Sequence, residues 1–141
     1  MIKPKKSLGQ NFLIDNNIIK KIISSIDIKN NNILEIGPGT GSLTKEIVKN
    51  NPKKLILIEK DFHLFERIKK TYQFNKNVKV YNDDVLDIDI EKIVKKNTII
   101  FGNLPYNIST QILVKLIKFK KWPPVYNKLI LMFQKEVADK L

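Results

Sequence analysis

Ile33-Leu34-Glu35-Ile36-Gly37-Pro38-Gly39-Thr40-Gly41 opens as a short apolar run and closes on glycines at alternate positions. The apolar run has the length of a buried strand, and Ser42 to Lys49 behind the glycines reads as a helix. Strand, glycine turn and helix in that order begin a βαβ unit. Glycines in such a turn permit a tight reversal and let a ligand come close to the backbone. The first turn of the following helix presents amide hydrogens to an anion, which a phosphate or a carboxylate can supply. A glycine-rich turn by itself is also a common loop, so the neighbouring segments decide its meaning.

The alternation continues in both directions. Downstream, Leu55 to Ile58 reads as a second strand ending at Glu59-Lys60-Asp61, with a helix from about Phe62 to Tyr72. Val78 to Tyr81 is a third strand ending at Asn82-Asp83-Asp84, and Ile88 to Val94 is a short helix or loop. Thr98-Ile99-Ile100-Phe101 is a fourth strand, closed by turn formers and a helix cap, with a helix over Ser109 to Phe119. Trp122-Pro123-Pro124 connects to a fifth strand over Lys128 to Phe133, and Gln134 to Ala138 opens a further helix. Upstream, Asp15 is an N-cap for a helix carrying Ile18, Ile19, Ile22, Ile23 and Ile26, ended by the polar run Lys29 to Asn32. Residues 1–14 form a basic, turn-rich arm. Strands alternating with helices imply an α/β fold, a mostly parallel sheet with helices on both faces. No repeat, linker or second-domain boundary divides residues 1–141.

Composition narrows the function classes. With 141 residues, 43% apolar and 28% charged, the chain suits one globular domain. It has no cysteine, which excludes disulfides, thiolate metal sites and thiol nucleophiles, and His63 is its one histidine. His63 lies beside Asp61 and Glu66 and reads as a surface residue. No apolar run approaches the ~18 residues of a membrane span. The basic start Lys3-Pro4-Lys5-Lys6 leads only to Phe12-Leu13-Ile14, too short for a signal-peptide core. A monomer in the cytoplasm is expected. The net charge of +12 points to an anionic partner, nucleic acid first. Arg67 is the one arginine among 26 basic residues. Lysine attracts phosphates as a point charge, whereas bidentate base reading favours arginine, so specificity must come from shape or from a pocket.

Three strand ends carry groups suited to one ligand. Glu59 ends the second strand, 22 positions after Gly37, where doubly wound folds place a carboxylate against ribose hydroxyls. Asp84 follows the third strand and can accept from an adenine amine. After the fourth strand, Asn103-Leu104-Pro105-Tyr106 sets an amide oxygen, a residue of fixed φ and an aromatic face side by side. An exocyclic amine held by two acceptors while its ring stacks on Tyr106 is a target for alkylation. The alternative for each carboxylate is a solvated side chain among lysines, and for the tetrapeptide a strand-ending turn with a core tyrosine. The spacing Gly37-x-Gly39-x-Gly41 departs from the G-x-G-x-x-G of dehydrogenases, and no Walker lysine follows. S-adenosyl-L-methionine therefore fits better than NAD or ATP.

Taken in order, Gln10-Asn11-Phe12-Leu13, Glu35 to Gly41, Ile58-Glu59, Asp83-Asp84, Gly102 to Ser109 and Gln134 to Ala138 resemble the ribosomal RNA adenine N6,N6-dimethyltransferases. The resemblance covers nearly the whole chain. It implies a Rossmann-like class I methyltransferase that dimethylates two adjacent adenosines near the end of small-subunit ribosomal RNA, in the immature small subunit. It implies cofactor contacts at Asn11, Leu13, Gly37, Glu59, Asp84 and Asn103, and a target-base clamp of Asn103, Leu104, Pro105 and Tyr106. The target adenine would leave its stack and present its amine to Asn103 and a backbone carbonyl, that of Leu104, with no metal required. Family members continue past the fifth strand into further strands and a helical domain, so the chain reads as truncated after strand five, with independent activity in doubt. Two other readings stand beside this one. The first is a large-subunit rRNA adenine methyltransferase of the macrolide-resistance type, which shares the Asn-x-Pro-Tyr clamp. The second is a non-catalytic RNA-binding assembly factor that keeps the fold.

Overall fold

Alternation along the central strands divides the apolar residues between two layers, and the sheet forms where both layers can be buried. The computed structural model describes residues 15–141. Its strands are β1 (Asn32–Ile36), β2 (Lys54–Glu59), β3 (Val78–Asn82), β4 (Thr98–Asn103) and β5 (Tyr126–Met132). Its helices are α1 (Asn16–Ser24), α2 (Ser42–Lys49), α3 (Phe62–Thr71), α4 (Ile90–Ile93), α5 (Ser109–Ile117) and α6 (Lys135–Ala138). All strand pairings are parallel, in the order β3-β2-β1-β4-β5. Asn11 and Leu13 lie outside the described residues.

On one face Ile33, Leu55, Leu57 and Phe101 pack with Ile19, Leu43, Ile47 and Ile68 from α1, α2 and α3. On the other, Leu34, Ile36, Ile56, Ile58 and Ile100 pack with Ile112 and Leu116 from α5. Burial of each such side chain is worth about 1.5–3 kcal/mol, so both layers are needed to hold the sheet. The sheet is the expected parallel one with helices on both faces.

Element ends differ from expectation where long-range or side-chain bonds decide them. α1 stops at Ser24, well before the polar run at Lys29: the hydroxyls of Ser24 and Ser25 donate back to the carbonyls of Lys21 and Ile22, at 3.0 and 2.7 Å. β4 runs past its apolar stretch to Asn103, because Gly102 pairs with Ile36 and Leu131 and Asn103 with Met132. α5 starts at Ser109 as expected, where the Ser109 hydroxyl donates to the Tyr106 carbonyl at 3.3 Å, but it ends at Ile117, before Phe119. The segment after β3 holds one helical turn, α4.

Candidate active site

The chain builds outward from β1 to β3 and then returns to place β4 on the other side of β1. Loops leaving β1 and β4 therefore part in opposite directions and open a crevice at the strands' carboxyl ends, where ligands bind in sheets of this kind. Gly37 and Asn103 stand on its two sides.

Gly37, Gly39 and Gly41 have φ of 66°, 58° and 85°, a region that L side chains seldom adopt. A Cβ on Gly37 would lie 3.3 Å from the backbone oxygen of Asn103, so this glycine lets the turn sit against the end of β4. Their amides are engaged inside the protein: Gly37 donates to Ile58 O at 2.9 Å, Gly39 to Glu59 Oε2 at 3.1 Å and Gly41 to Pro38 O at 2.9 Å. The glycines thus shape the turn, and Gly41 caps α2.

Glu59 is 5% exposed and also accepts from the Asp61 amide through Oε1 at 2.9 Å. Burial pushes its carboxyl up, and the two backbone amides offset part of that push. A carboxylate has about four lone-pair sites, so acceptor capacity for ribose hydroxyls remains beside these two bonds. Asp84 accepts the Leu86 amide on Oδ1 at 2.9 Å and the Lys60 ammonium on Oδ2 at 2.6 Å. Burial pushes Asp84 upward, but the Lys60 and Leu86 hydrogen bonds hold it below the usual carboxylate range. Asn82 joins the two strand tips, donating from Nδ2 to the carbonyls of Glu59 and Lys60 at 2.9 and 3.2 Å.

In the clamp, Leu104 is buried and donates its amide to Met132 O at 3.4 Å, so its side chain anchors the turn in the core. The carbonyls of Pro105 and Tyr106 accept from the Ile108 amide and the Ser109 hydroxyl. Tyr106 is 48% exposed, with its ring accessible for stacking.

Several supporting residues escaped the sequence reading. Glu35 is 2% exposed in β1 beneath the glycine turn and accepts from Thr44 Oγ1 at 2.7 Å. Burial, opposed by that hydrogen bond and aided by the charge of Glu59, pushes Glu35 up to about 8. Its one sequence signal is a carboxylate inside an apolar run. Lys115 of α5 donates to the carbonyls of Leu86 and Ile88 at 2.7 and 2.6 Å, which holds the loop that carries Asp84.

S-adenosyl-L-methionine is the group against which this crevice must be tested. The deep carboxylate of Glu59 and the rim carboxylate of Asp84, on adjacent strand tips, fit the ribose and the adenine of such a ligand.

The comparisons agree with this architecture. Residues 1–141 match the family model described as ribosomal RNA adenine dimethylase. The chain is 49% identical over 140 residues to ribosomal RNA small subunit methyltransferase A of Pelagibacter ubique, covering 99% of this chain and 53% of that protein. It is 43% identical over 145 residues to the protein of the same name from Ehrlichia ruminantium, covering 100% of this chain and 53% of the relative. Among solved structures it is similar to 23S rRNA methyltransferase ErmE, with TM-score 0.77 and 25% identity over 92% of this chain and 50% of that one. It is also similar to a dimethyladenosine transferase from Plasmodium falciparum, with TM-score 0.75 and 34% identity over 92% of this chain and 46% of that one. The chain therefore spans about half the length of the curated relatives it matches. By its matched residues and its fold, the chain belongs to the ribosomal RNA adenine dimethylase family.

Proposed function

We propose that the protein carrying this chain uses S-adenosyl-L-methionine to dimethylate N6 of two adjacent adenosines near the 3′ end of small-subunit ribosomal RNA. It acts as a cytoplasmic monomer on the immature small subunit. The observation that carries the reading is the packing of Gly37 against the end of β4, which brings the glycine turn and the Asn103 clamp to one point.

Glu59 would take the ribose hydroxyls, Asp84 the adenine amine, and Gly37 and Asn103 the reacting end, with Asn11 and Leu13 as further cofactor contacts. When bound, that cofactor supplies a methyl group on a sulfonium, an electrophile that carries its own driving force. The protein supplies position. Extruding the target adenine from its stack costs a few kcal/mol, and stacking on Tyr106, about 1–3 kcal/mol per base, offsets much of it. The carboxamide oxygen of Asn103 and the carbonyl of Leu104 would accept the two amine hydrogens. Those bonds turn the nitrogen lone pair out of ring conjugation and fix its direction. Among the described residues, no helix is long and apolar enough to cross a membrane.

A labelled-methyl transfer assay on immature small subunits tests the reading, with incorporation into two neighbouring adenines expected. The likeness to ErmE supports one rival, a large-subunit substrate. The higher identity to relatives named for the small subunit favours the first reading. Mapping methylated adenines on both ribosomal RNAs separates the two, and absence of label from either leaves the non-catalytic assembly factor.

A further inference from the structure

Loop charge divides between the two ends of the sheet. In a parallel sheet each loop leaving a strand lies at the carboxyl end and each loop entering one lies at the amino end. Among the described residues, the loops leaving the strands carry Asp61, Asp83, Asp84, Asp87 and Asp89 against Lys60 alone. The loops entering the strands carry eight lysines against Asp27 alone. Those before β4 and β5 supply Lys95, Lys96, Lys118, Lys120 and Lys121, all exposed. Screening limits such fields to about 8 Å at physiological salt, so each end acts locally. A phosphate backbone is therefore attracted locally to the amino end of the sheet.

A cleft lies at that end. α4 is a single turn and leaves the amino-terminal part of one sheet face open beside it. The opening is lined by Lys54, Ile56, Lys79, Tyr81, Ile93 and Lys95, with no carboxylate among its lining residues. On β3, Val78 and Val80 face the opposite core, so alternation turns Lys79 and Tyr81 into this cleft. Lys79 Nζ stands 4.7 Å from the centroid of the Tyr81 ring. Among the described residues no carboxylate pairs with Lys54, Lys79 or Lys95. Lysines set around an aromatic ring in a groove, here Tyr81, are elements of single-strand RNA binding.

We propose that this cleft is a second RNA-docking site, holding the phosphate backbone of an unpaired strand on Lys54, Lys79 and Lys95. It stands a strand's length, roughly 16–20 Å, from the catalytic tip. A substrate must therefore be folded or assembled to occupy both ends at once, which makes the site a selector for a large RNA over a short oligonucleotide. The proposal rests on the RNA substrate class argued above.

The test compares the intact protein with its Lys54→Gln/Lys79→Gln/Lys95→Gln variant, using a labelled single-stranded oligoribonucleotide in fluorescence anisotropy. Calorimetry with S-adenosylhomocysteine serves as the control for folding. The expected result is at least a tenfold loss of RNA affinity, with unchanged cofactor affinity. With a slope of about 0.7 per phosphate contact on single strands, log affinity against log salt should flatten by about 2. Equal affinity and equal slope in the variant overturn the site. If the triple variant loses cofactor binding, the single variants Lys79→Gln and Lys95→Gln are read the same way, each expected to lower the slope by about 0.7. A defect seen on subunits but not on naked RNA indicates a protein partner and also overturns it. Wild-type protein that binds the probe through these lysines yet transfers no methyl to subunits keeps the docking site and removes the methyltransferase reading.

Discussion

The carboxylate of Glu59 accepts the amide hydrogen of Gly39 at 3.1 Å and so ties the tip of β2 to the turn that follows β1. The residue assigned to the ribose therefore also holds the loop assigned to the reacting end. Replacing it removes both at once. Glu59→Ala should raise the cofactor dissociation constant tenfold or more, equivalent to about 1.4 kcal/mol or more. Glu59→Gln keeps one acceptor oxygen and should fall between. Calorimetric titration with S-adenosylhomocysteine checks both, and an unchanged constant in the alanine variant would withdraw the assignment.

Gly37 and Gly41 share a positive φ but differ in what a side chain would meet. At Gly37 a Cβ comes within 3.3 Å of the Asn103 carbonyl, while at Gly41 its nearest neighbours are 4.0 Å away. Forcing an L residue into that backbone region costs about 1–2 kcal/mol at either position. Gly37→Ala should lose that stability and most methyl transfer, because the end of β4 must move. Gly41→Ala should lose similar stability and keep more turnover. Chemical denaturation beside a transfer assay distinguishes them, and equal turnover in the two variants would contradict the close approach of turn and clamp.

The parts of this architecture that were legible in the sequence are those set by neighbours along the chain. Ile33 to Ile36, the three glycines and Ser42 to Lys49 announce strand, turn and helix because periodicity and turn chemistry are local. The positions of Glu59 and Asn103 at strand ends were legible for the same reason, since each closes an apolar run. What stayed hidden depends on distant partners. Lys60 meets Asp84 across 24 positions and Lys115 reaches the Leu86 carbonyl across 29, and no spacing rule connects either pair. The two extra residues of β4 are fixed by its neighbours β1 and β5, which lie far away in sequence.

Burial of Glu35 sets a pH dependence of known sign. Its carboxyl is pushed up to about 8 in the folded protein, first by burial, against an ordinary value of 4.5. Between those values the folded state keeps a proton that the unfolded chain has lost, so stability falls as pH rises and levels off above about 8. The slope from this group approaches about 1.4 kcal/mol per pH unit. Denaturant midpoints at pH 5, 7 and 9 should decline in the wild type and decline less in Glu35→Gln, which keeps the acceptor for Thr44 without the charge. A parallel decline in both proteins would place the dependence elsewhere.

The two roles proposed at the end of β4, positioning the target base and contacting the cofactor, can be separated by substitution. Asn103 ends β4 against the glycine turn, and Tyr106 stands half exposed beyond it. If the amide holds the target amine, Asn103→Ala should abolish methyl transfer while weakening cofactor binding only modestly, because Glu59 and Asp84 remain. If the ring only stacks, Tyr106→Phe should retain turnover. Tyr106→Ala should lose about 1–3 kcal/mol of base binding, roughly 5- to 150-fold. That loss should appear as a raised KM for RNA, with the cofactor constant unmoved. Single-turnover transfer to immature small subunits at varied RNA concentration measures these quantities. Wild-type turnover in Asn103→Ala would remove the amide from the chemistry, and a defect in Tyr106→Phe equal to that of Tyr106→Ala would assign the hydroxyl a role that stacking does not explain.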